Sequence, residues 1–145
     1  MRITPDTGIL IRTNTKATGP ARELLLAASG SRHRLVLSRF LLDELSRVLR
    51  YPRIQAIYKL EEVDIRDHMA LLRSLADIVE PATGPPLILK DPEDDPVVYT
   101  ALAGQADVIC TLDRHFYEPN VVSFCSRYGI RIMGDVDLLR EIRPA

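Results

Sequence analysis

The amino-acid sequence predicts an α/β fold with a central parallel sheet and helices on both faces. Two observations support this prediction. Short apolar runs of three or four residues alternate with longer stretches in which apolar residues recur at helical spacing. The chain has 145 residues, of which 46% are hydrophobic, and this length fits one ordinary domain. The densest turn cluster, residues 82–86, leaves too little chain for a second domain, so we expect residues 1–145 to form one.

Strands are expected at the short apolar runs, and helices at the longer amphipathic stretches. The expected strands are 2–5, 35–37, 78–80, 87–89, 108–111 and 130–133. The expected helices are 20–29, 39–50, 61–77, 96–105, 119–128 and 135–142. Because helices separate the strands, right-handed crossovers should join the strands into a parallel sheet.

Helix 39–50 shows the clearest amphipathic pattern. At 100° per residue its leucines and Val48 fall on one face, and Arg39, Asp43 and Arg47 fall on the other. Ser38 precedes the helix as a candidate N-cap. Glu44 falls at the border between the two faces, where a helix can offer a carboxylate to a partly buried site.

Composition excludes several classes of protein. The apolar fraction and a formal net charge of only −1 exclude disorder. No stretch approaches the roughly 18 uncharged apolar residues of a membrane-spanning helix, and Pro5 and Asp6 interrupt any secretory signal. Two cysteines, Cys110 and Cys125, are too few for a disulfide framework or a four-cysteine zinc site. We therefore expect a cytoplasmic protein that does not enter a membrane.

Charge is distributed unevenly along the chain. Residues 1–53 carry ten basic and four acidic side chains, a balance of +6, whereas residues 54–145 have a balance of −7. Such asymmetry is consistent with a polyanionic partner for the basic third, and equally with chance clustering on a solvated surface.

Several acidic side chains are expected to meet at one edge of the sheet. Ligands of parallel α/β sheets bind at the carboxyl ends of the strands, and these acids follow strands or begin helices there. They are Asp6, Glu44, Asp94 or Asp95, and Asp113. Crowded carboxylates repel one another unless a cation lies among them. Oxygen ligands favour Mg²⁺ or Mn²⁺, and such a site suits metal-assisted hydrolysis of a phosphodiester.

Each of these acids also has a purely structural interpretation. Asp6 and Asp113 could cap turns, and Glu44 could pair with Arg47 three residues on. Asp95 before Pro96 is typical of a helix N-cap. This favours Asp94 as the carboxylate available to a metal and keeps Asp95 as the alternative.

The order and spacing of four short motifs resemble the PIN-domain family. The resemblance is closest to its branch of toxins from toxin–antitoxin pairs, related to VapC-type ribonucleases, and it spans nearly the whole chain. The motifs are Asp6-Thr7, Ser38-Arg39-Phe40-Leu41-Leu42-Asp43-Glu44-Leu45, Asp91-Pro92-Glu93-Asp94-Asp95 before Ala101, and Ala106-Asp107-Val108-Ile109-Cys110-Thr111-Leu112-Asp113.

The resemblance implies a three-layer α/β/α sandwich and an acidic site that binds Mg²⁺ or Mn²⁺ and cleaves RNA. Matching positions make Asp6, Glu44, Asp94 and Asp113 the metal-binding quartet. The resemblance further implies a homodimer and a cognate antitoxin protein as partner. Arginines of the basic third, Arg12, Arg39 and Arg47, are then candidates for RNA phosphate contacts.

Three positions depart from the family pattern. Gly8 stands where the family usually has Asn, Leu112 where a small residue is usual, and Pro5 lies within an expected central strand, where it removes a hydrogen-bond donor. These departures motivate an alternative function, a catalytically impaired module that binds RNA or protein. A phosphatase with Asp6 as nucleophile is a further alternative, but Thr7 and Gly8 supply no second acid for proton transfer.

Overall fold

The central sheet is parallel, as the sequence predicts. The computed structural model describes residues 1–30, 32–81, 83–85, 87 and 95–143. Within them, five strands pair in the order β3–β2–β1–β4–β5, and every pair is parallel. The strands are β1 (Arg2–Pro5), β2 (Arg34–Ser38), β3 (Ala76–Val79), β4 (Val108–Cys110) and β5 (Arg131–Met133).

Helices connect the strands throughout the described part of the chain. They are α1 (Thr7–Ile11), α2 (Pro20–Ala27), α3 (Arg39–Leu49), α4 (Pro52–Tyr58), α5 (Glu62–Leu75), α6 (Asp95–Ala103), α7 (Pro119–Arg127) and α8 (Asp135–Ile142). A 3₁₀ helix, Arg114–Tyr117, follows β4. None of these helices is both long and apolar enough to cross a bilayer.

Two of these helices were not predicted, and one strand lies at other residues. α1 is only five residues long, and α4 buries no side chain, so neither has an apolar periodicity to detect. The prediction of strand 78–80 is wrong in its bounds. The strand is Ala76–Val79, because pairing with β2 begins at Ala76, directly after α5 ends at Leu75. The predicted strand 87–89 lies outside the described residues except for Leu87, which has no regular structure.

The helices form two layers, one on each face of the sheet. Right-handed crossovers place the β1–β2 and β2–β3 connections on one face and the β3–β4 and β4–β5 connections on the other. Contacts agree with this arrangement, because α3 packs against α1 and α5, whereas α6 packs across β1, β2 and β4. α8 returns to pack against α2. The structure is therefore a three-layer α/β/α sandwich.

The strands between the two layers are buried on both faces. Ile3, Val36, Leu37, Val108 and Ile109 have no exposed surface. Burial on both faces explains why these strands are continuous apolar runs rather than alternating ones. Cys110 and Cys125 are free thiols within this core, as predicted for small buried side chains.

Pro5 is accommodated at the end of the central strand. Pairing of β1 with β2 ends at Ile3, so the missing N–H of Pro5 falls beyond the described ladder. Next to it, the Thr4 hydroxyl donates to the carbonyl oxygen of Val36 at 3.0 Å. On the other side β1 continues in register with β4 to Cys110, so the proline does not interrupt the sheet.

Candidate functional site

The strand order creates a crevice between β1 and β4. The chain leaves β1 for β2 on one side and leaves β4 for β5 on the other, so the direction of winding reverses between these two neighbours. Open parallel sheets bind ligands at the carboxyl ends of the strands at such a reversal. The first residue after β1 is Asp6, and Thr111 to Asp113 follow β4. The candidate site therefore lies between these two segments.

Asp6 is held in place by backbone and side-chain hydrogen bonds. Its amide donates to the carbonyl oxygen of Cys110 at 3.0 Å, which continues the β1–β4 ladder by one residue. Its Oδ1 accepts from the Ile9 amide at 2.8 Å and caps α1. Asp6 thus has the capping role considered from the sequence, but the cap uses only one of its two carboxylate oxygens.

The second oxygen of Asp6 is linked to Asp113 through Thr111. The buried Thr111 hydroxyl donates to Oδ2 of Asp6 at 2.5 Å and accepts from the Asp113 amide at 3.0 Å. We call Asp6, Thr111 and Asp113 the acid bridge. Thr111 was not predicted as a site residue, although a hydroxyl at a strand end two residues before an acid was a visible signal for one.

Asp113 is more exposed than Asp6 and begins the 3₁₀ helix. Its Oδ1 accepts from the His115 amide at 2.9 Å, and the His115 Nδ1 lies 3.5 Å from the same oxygen. The Asp113 side chain is 37% exposed, whereas Asp6 is 8% exposed. The acid bridge thus joins one buried carboxylate to one that faces solvent.

Burial disfavours the charged form of the Asp6 carboxyl. Burial raises the pKa of the Asp6 carboxyl above its usual value. Hydrogen bonds from Thr111 and Ile9 lower this pKa, the negative charge of Asp113 raises it, and Arg12 lowers it. The balance is a raised pKa, so the ionised carboxylate is under-compensated by the protein's own groups.

Glu44 lies on α3, as predicted, at the border of its buried face. Ser38 caps this helix by accepting from the Leu41 amide at 3.4 Å. The Thr100 hydroxyl of α6 donates to Ser38 Oγ at 2.9 Å, which ties α3 to α6. Glu44 is half-buried and forms no hydrogen bond or ion pair with any described residue, so the pairing with Arg47 considered from the sequence is not seen.

An open cavity of about 480 Å³ lies along the exposed side of α3. We call its described lining residues the α3 cleft. They are Phe40, Asp43, Glu44 and Arg47. Since α3 packs against α1, which Asp6 caps, the cleft and the acid bridge are carried by neighbouring elements. No described hydrogen bond or ion pair joins Glu44 to Asp6 or Asp113.

Asp94 lies outside the described residues, whereas Asp95 is described. α6 begins at Asp95 itself, so the prediction that Asp95 is the N-cap before the helix is wrong by one residue. Oδ2 of Asp95 accepts from the Leu87 amide at 3.0 Å. Asp95 therefore has a structural role in holding the backbone of Leu87.

The basic N-terminal third divides into arginines with structural partners and arginines without them. Arg2 and Arg34 both pair with Asp77, and Arg50 pairs with Glu62. The three arginines predicted to contact phosphates form no ion pair within the described part of the chain. They are Arg12, Arg39 and Arg47, which lie on the C-terminal side of α1 or on α3.

Comparison with known proteins identifies the family to which this fold and site correspond. A family model described as PIN domain matches residues 2–115. The chain belongs to the PIN domain family. PIN domains are generally nucleases that act on nucleic acids and use divalent metal ions. No curated protein and no solved structure gives a significant match.

The donor chemistry of the site fits a hard divalent cation. Asp6 and Asp113 offer carboxylate oxygens, which Mg²⁺ and Mn²⁺ prefer. Burial raises the pKa of Asp6, and a cation bound beside it would stabilise its ionised form. Across residues 1–30, 32–81, 83–85, 87 and 95–143, no three His, Cys, Asp or Glu side chains form a ready-made metal cluster. The described part of the PIN domain therefore contributes a pair of carboxylates.

Proposed function

We propose that this PIN domain is an endoribonuclease that hydrolyses RNA phosphodiester bonds with Mg²⁺ or Mn²⁺. The observation that carries the proposal is the acid bridge at the reversal point of the sheet. There the Thr111 hydroxyl donates to the Asp6 carboxylate and accepts from the backbone amide of Asp113. The proposed cation ligands are Asp6, Glu44, Asp94 and Asp113, with Asp95 as the alternative to Asp94.

The acid bridge supplies fixed negative charge at one place. The Thr111 hydroxyl keeps Asp6 from rotating away, and through the Asp113 amide it fixes the backbone that carries the second acid. When bound, Mg²⁺ or Mn²⁺ supplies a Lewis acid for the phosphodiester and makes a water molecule more acidic. The proposal therefore assigns no nucleophilic side chain, in contrast to the aspartyl phosphatase considered from the sequence.

The arginines that form no ion pair with described residues are the proposed contacts for substrate phosphates. The positive charge of Arg12 already acts on Asp6 and lowers its pKa. Arg39 and Arg47 extend this positive charge along α3. Because such contacts release counterions from RNA, binding should weaken as the salt concentration rises.

Cleavage of a mixed RNA pool in Mn²⁺ tests the proposal. Asp6→Asn and Asp94→Asn should each lower the cleavage rate by at least about 100-fold, since loss of outer-shell partners alone typically costs 10- to 100-fold in metal sites. Asp67→Asn is the matched control, because the Asp67 side chain is exposed on α5 and is not among the groups that shift the pKa of Asp6. Wild-type rates in both Asp6→Asn and Asp94→Asn would refute the assignment.

Protein stability separates loss of chemistry from loss of fold. Asp6→Asn removes a buried, under-compensated charge, and Asn keeps groups able to bond with Ile9 and Thr111. We therefore expect its melting temperature to equal or exceed that of the wild type. If Asp6→Asn were inactive only because it unfolds, its circular dichroism spectrum would show it directly.

The cellular role that we propose is that of a toxin in a toxin–antitoxin pair, acting in the cytoplasm. The motif pattern supports this role, and with it a homodimer and a cognate antitoxin as partners. Induced expression of the wild type should arrest growth, and expression of Asp6→Asn should not. Light scattering of the purified chain should give twice the mass of 16.3 kDa. Normal growth on wild-type expression would contradict the toxin role.

A further inference from the structure

We propose that Phe40 is a substrate-positioning side chain on which an unpaired RNA base stacks next to Glu44, a proposed cation ligand. The inference rests on the proposed ribonuclease function and names the side chain that would hold one base of the substrate. Phe40 lies in the first turn of α3 and lines the α3 cleft together with Glu44 and Arg47.

The position of Phe40 is what distinguishes it from other surface apolar residues. Single exposed apolar side chains are normal and need no explanation. Phe40 is 43% exposed, however, and it precedes Glu44 by four residues, so both occupy the same side of the helix one turn apart. An aromatic face therefore adjoins a proposed cation ligand.

The dimensions of the α3 cleft suit a small ligand group. Its volume of about 480 Å³ falls within the range of roughly 300–1,000 Å³ that is usual for ligand sites. Phe40 has no polar atom, so its contribution is an apolar face. Every base has a π-face, and stacking on aromatic side chains is a general way to hold single-stranded nucleic acid.

Charge in the cleft determines which part of a nucleotide can lie where. Asp43 and Glu44 are carboxylates and would repel a free phosphate, whereas Arg47 attracts one. An RNA base is uncharged and can approach the two acids at Phe40, with a flanking phosphate at Arg47. This arrangement favours a nucleotide within a strand over an isolated phosphate ion.

A base can stack on Phe40 only after it leaves its own stack. In an RNA helix the bases are paired and stacked, so proteins read unpaired loops, bulges and ends by splaying bases onto aromatic side chains. An unpaired base of the substrate would therefore be anchored at Phe40, in the cleft that also contains Glu44 and Arg47.

The chain contains no tryptophan, which allows a direct spectroscopic test. Phe40→Trp places the only tryptophan of the chain in the cleft, where it can be excited selectively, and keeps an aromatic face. With Ca²⁺ in place of Mn²⁺ as the hard cation, and with RNA checked by gel to remain intact, single-stranded RNA of mixed sequence should quench its emission. Duplex RNA of the same length should quench it much less.

Tyr128→Trp is the matched control for this measurement. Tyr128 is 55% exposed and follows α7, which lies in the other helix layer, and it contacts Phe124 rather than any cleft residue. Its tryptophan should not respond to RNA. Binding without quenching at position 40, or equal quenching at positions 40 and 128, would overturn the proposal.

Affinity measurements complete the test. Phe40→Leu keeps an apolar side chain but removes the aromatic face, and it should weaken single-stranded RNA binding by roughly 5- to 150-fold, whereas Phe40→Tyr should bind as the wild type does. Wild-type affinity in Phe40→Leu, with normal RNA cleavage by the wild type, would refute stacking and leave the ribonuclease intact. Failure of the wild type to cleave RNA at all would refute the proposed function instead.

Discussion

The acid bridge and the α3 cleft are neighbouring parts of the molecule that are built in opposite ways. In the acid bridge, Thr111 is fully buried and each partner is fixed by hydrogen bonds of 2.5–3.0 Å. In the α3 cleft, Phe40 is 43% exposed, and Glu44 has no hydrogen-bond or ion-pair partner among the described residues. One region is fixed before any ligand arrives, and the other is open to receive one.

The two regions are therefore suited to different roles, the acid bridge to binding a metal ion and the α3 cleft to binding RNA. Fixed carboxylates are costly to bury, and the raised pKa of Asp6 reflects that cost. The charged side chains of the α3 cleft are exposed or half-buried, so they keep more of their hydration than Asp6 does. Substitutions in the acid bridge should therefore act on metal binding and pH dependence, whereas substitutions in the cleft should act on RNA affinity.

The largest effect is expected for Thr111→Val, which removes the hydroxyl but keeps the shape of the side chain. A hydrogen bond to a charged group contributes roughly 1.5–3 kcal/mol, so we expect cleavage to fall by roughly 10- to 150-fold. Steady-state cleavage of single-stranded RNA in saturating Mn²⁺ measures this. Thr4→Val is the control, because Thr4 is equally buried but donates to the Val36 carbonyl oxygen rather than to an acid.

Thr111→Val should also change the pH dependence of metal binding. The Thr111 hydrogen bond lowers the pKa of Asp6, so its loss raises that pKa further. Since a cation binds the ionised carboxylate, Mn²⁺ affinity should decline on acidification at a higher pH in the variant. If Mn²⁺ affinity declined at the same pH in both proteins, Thr111 would not act on Asp6.

The second effect concerns His68, a buried histidine of α5. Its ring contacts Thr13, which follows α1, the helix that Asp6 caps. His68 is 1% exposed, and its Nε2 lies 3.0 Å from Thr13 Oγ1. Thr13 itself donates to the Leu10 carbonyl oxygen at 2.6 Å, so Nε2–H of His68 must be the donor between them. The Nδ1 atom is buried without a partner among described residues. Burial, assisted by Arg22, lowers the pKa of His68 to about 4.

Acid should therefore destabilise the domain through His68. Between pH 6.5 and 4 the unfolded chain binds a proton at His68 that the folded chain does not. The free energy of unfolding therefore decreases as the pH is lowered through this range. From pH 7 to pH 5 the loss should be about 2 kcal/mol, measured by urea unfolding. His68→Gln cannot titrate and should lose less over the same interval, and an equal loss in both proteins would contradict this account.

The smallest effect is expected at Gly8, where the family usually has Asn. A Cβ at this position would lie 3.5 Å from Oδ1 of Asp6, an ordinary contact that needs no rearrangement. Gly8→Ala should raise stability by roughly 0.5–1 kcal/mol, because Gly is unfavourable within a helix such as α1. Thermal unfolding of the two proteins measures this change.

Gly8→Asn tests whether the missing amide matters to the acid bridge. It should raise Mn²⁺ affinity by a few-fold over Gly8→Ala, because its polar group lies beside Asp6, where Ala places only a methyl group. Equal Mn²⁺ affinities in the Asn and Ala variants would mean that the departure at Gly8 has no consequence for the site.

The layered fold was predictable because its signals are local and repeated. Buried strands appear as apolar runs, and α3 shows its buried and exposed faces directly, with Glu44 half-buried as expected. α4 gave no signal because it buries nothing. The bounds of β3 depend on pairing with β2, a long-range contact that the residues of β3 do not encode by themselves.

The site was predictable only in part. That Asp6 and Asp113 meet follows from strand order, which the alternation of elements suggests. That Thr111 joins them depends on side-chain orientation at two strand ends, and the sequence does not specify it. The arginines of the basic third could not be separated either, because the partner shared by Arg2 and Arg34 is Asp77, more than 40 residues away.

Calorimetric titration with Mn²⁺ tests the central claim most directly, because it measures the acid bridge without any substrate. The wild type should bind Mn²⁺ at millimolar or lower concentration, and Asp6→Asn and Asp113→Asn should each bind at least about 10-fold more weakly. The control Asp67→Asn should match the wild type. No binding by the wild type at millimolar Mn²⁺, or unchanged binding in Asp6→Asn, would contradict the account.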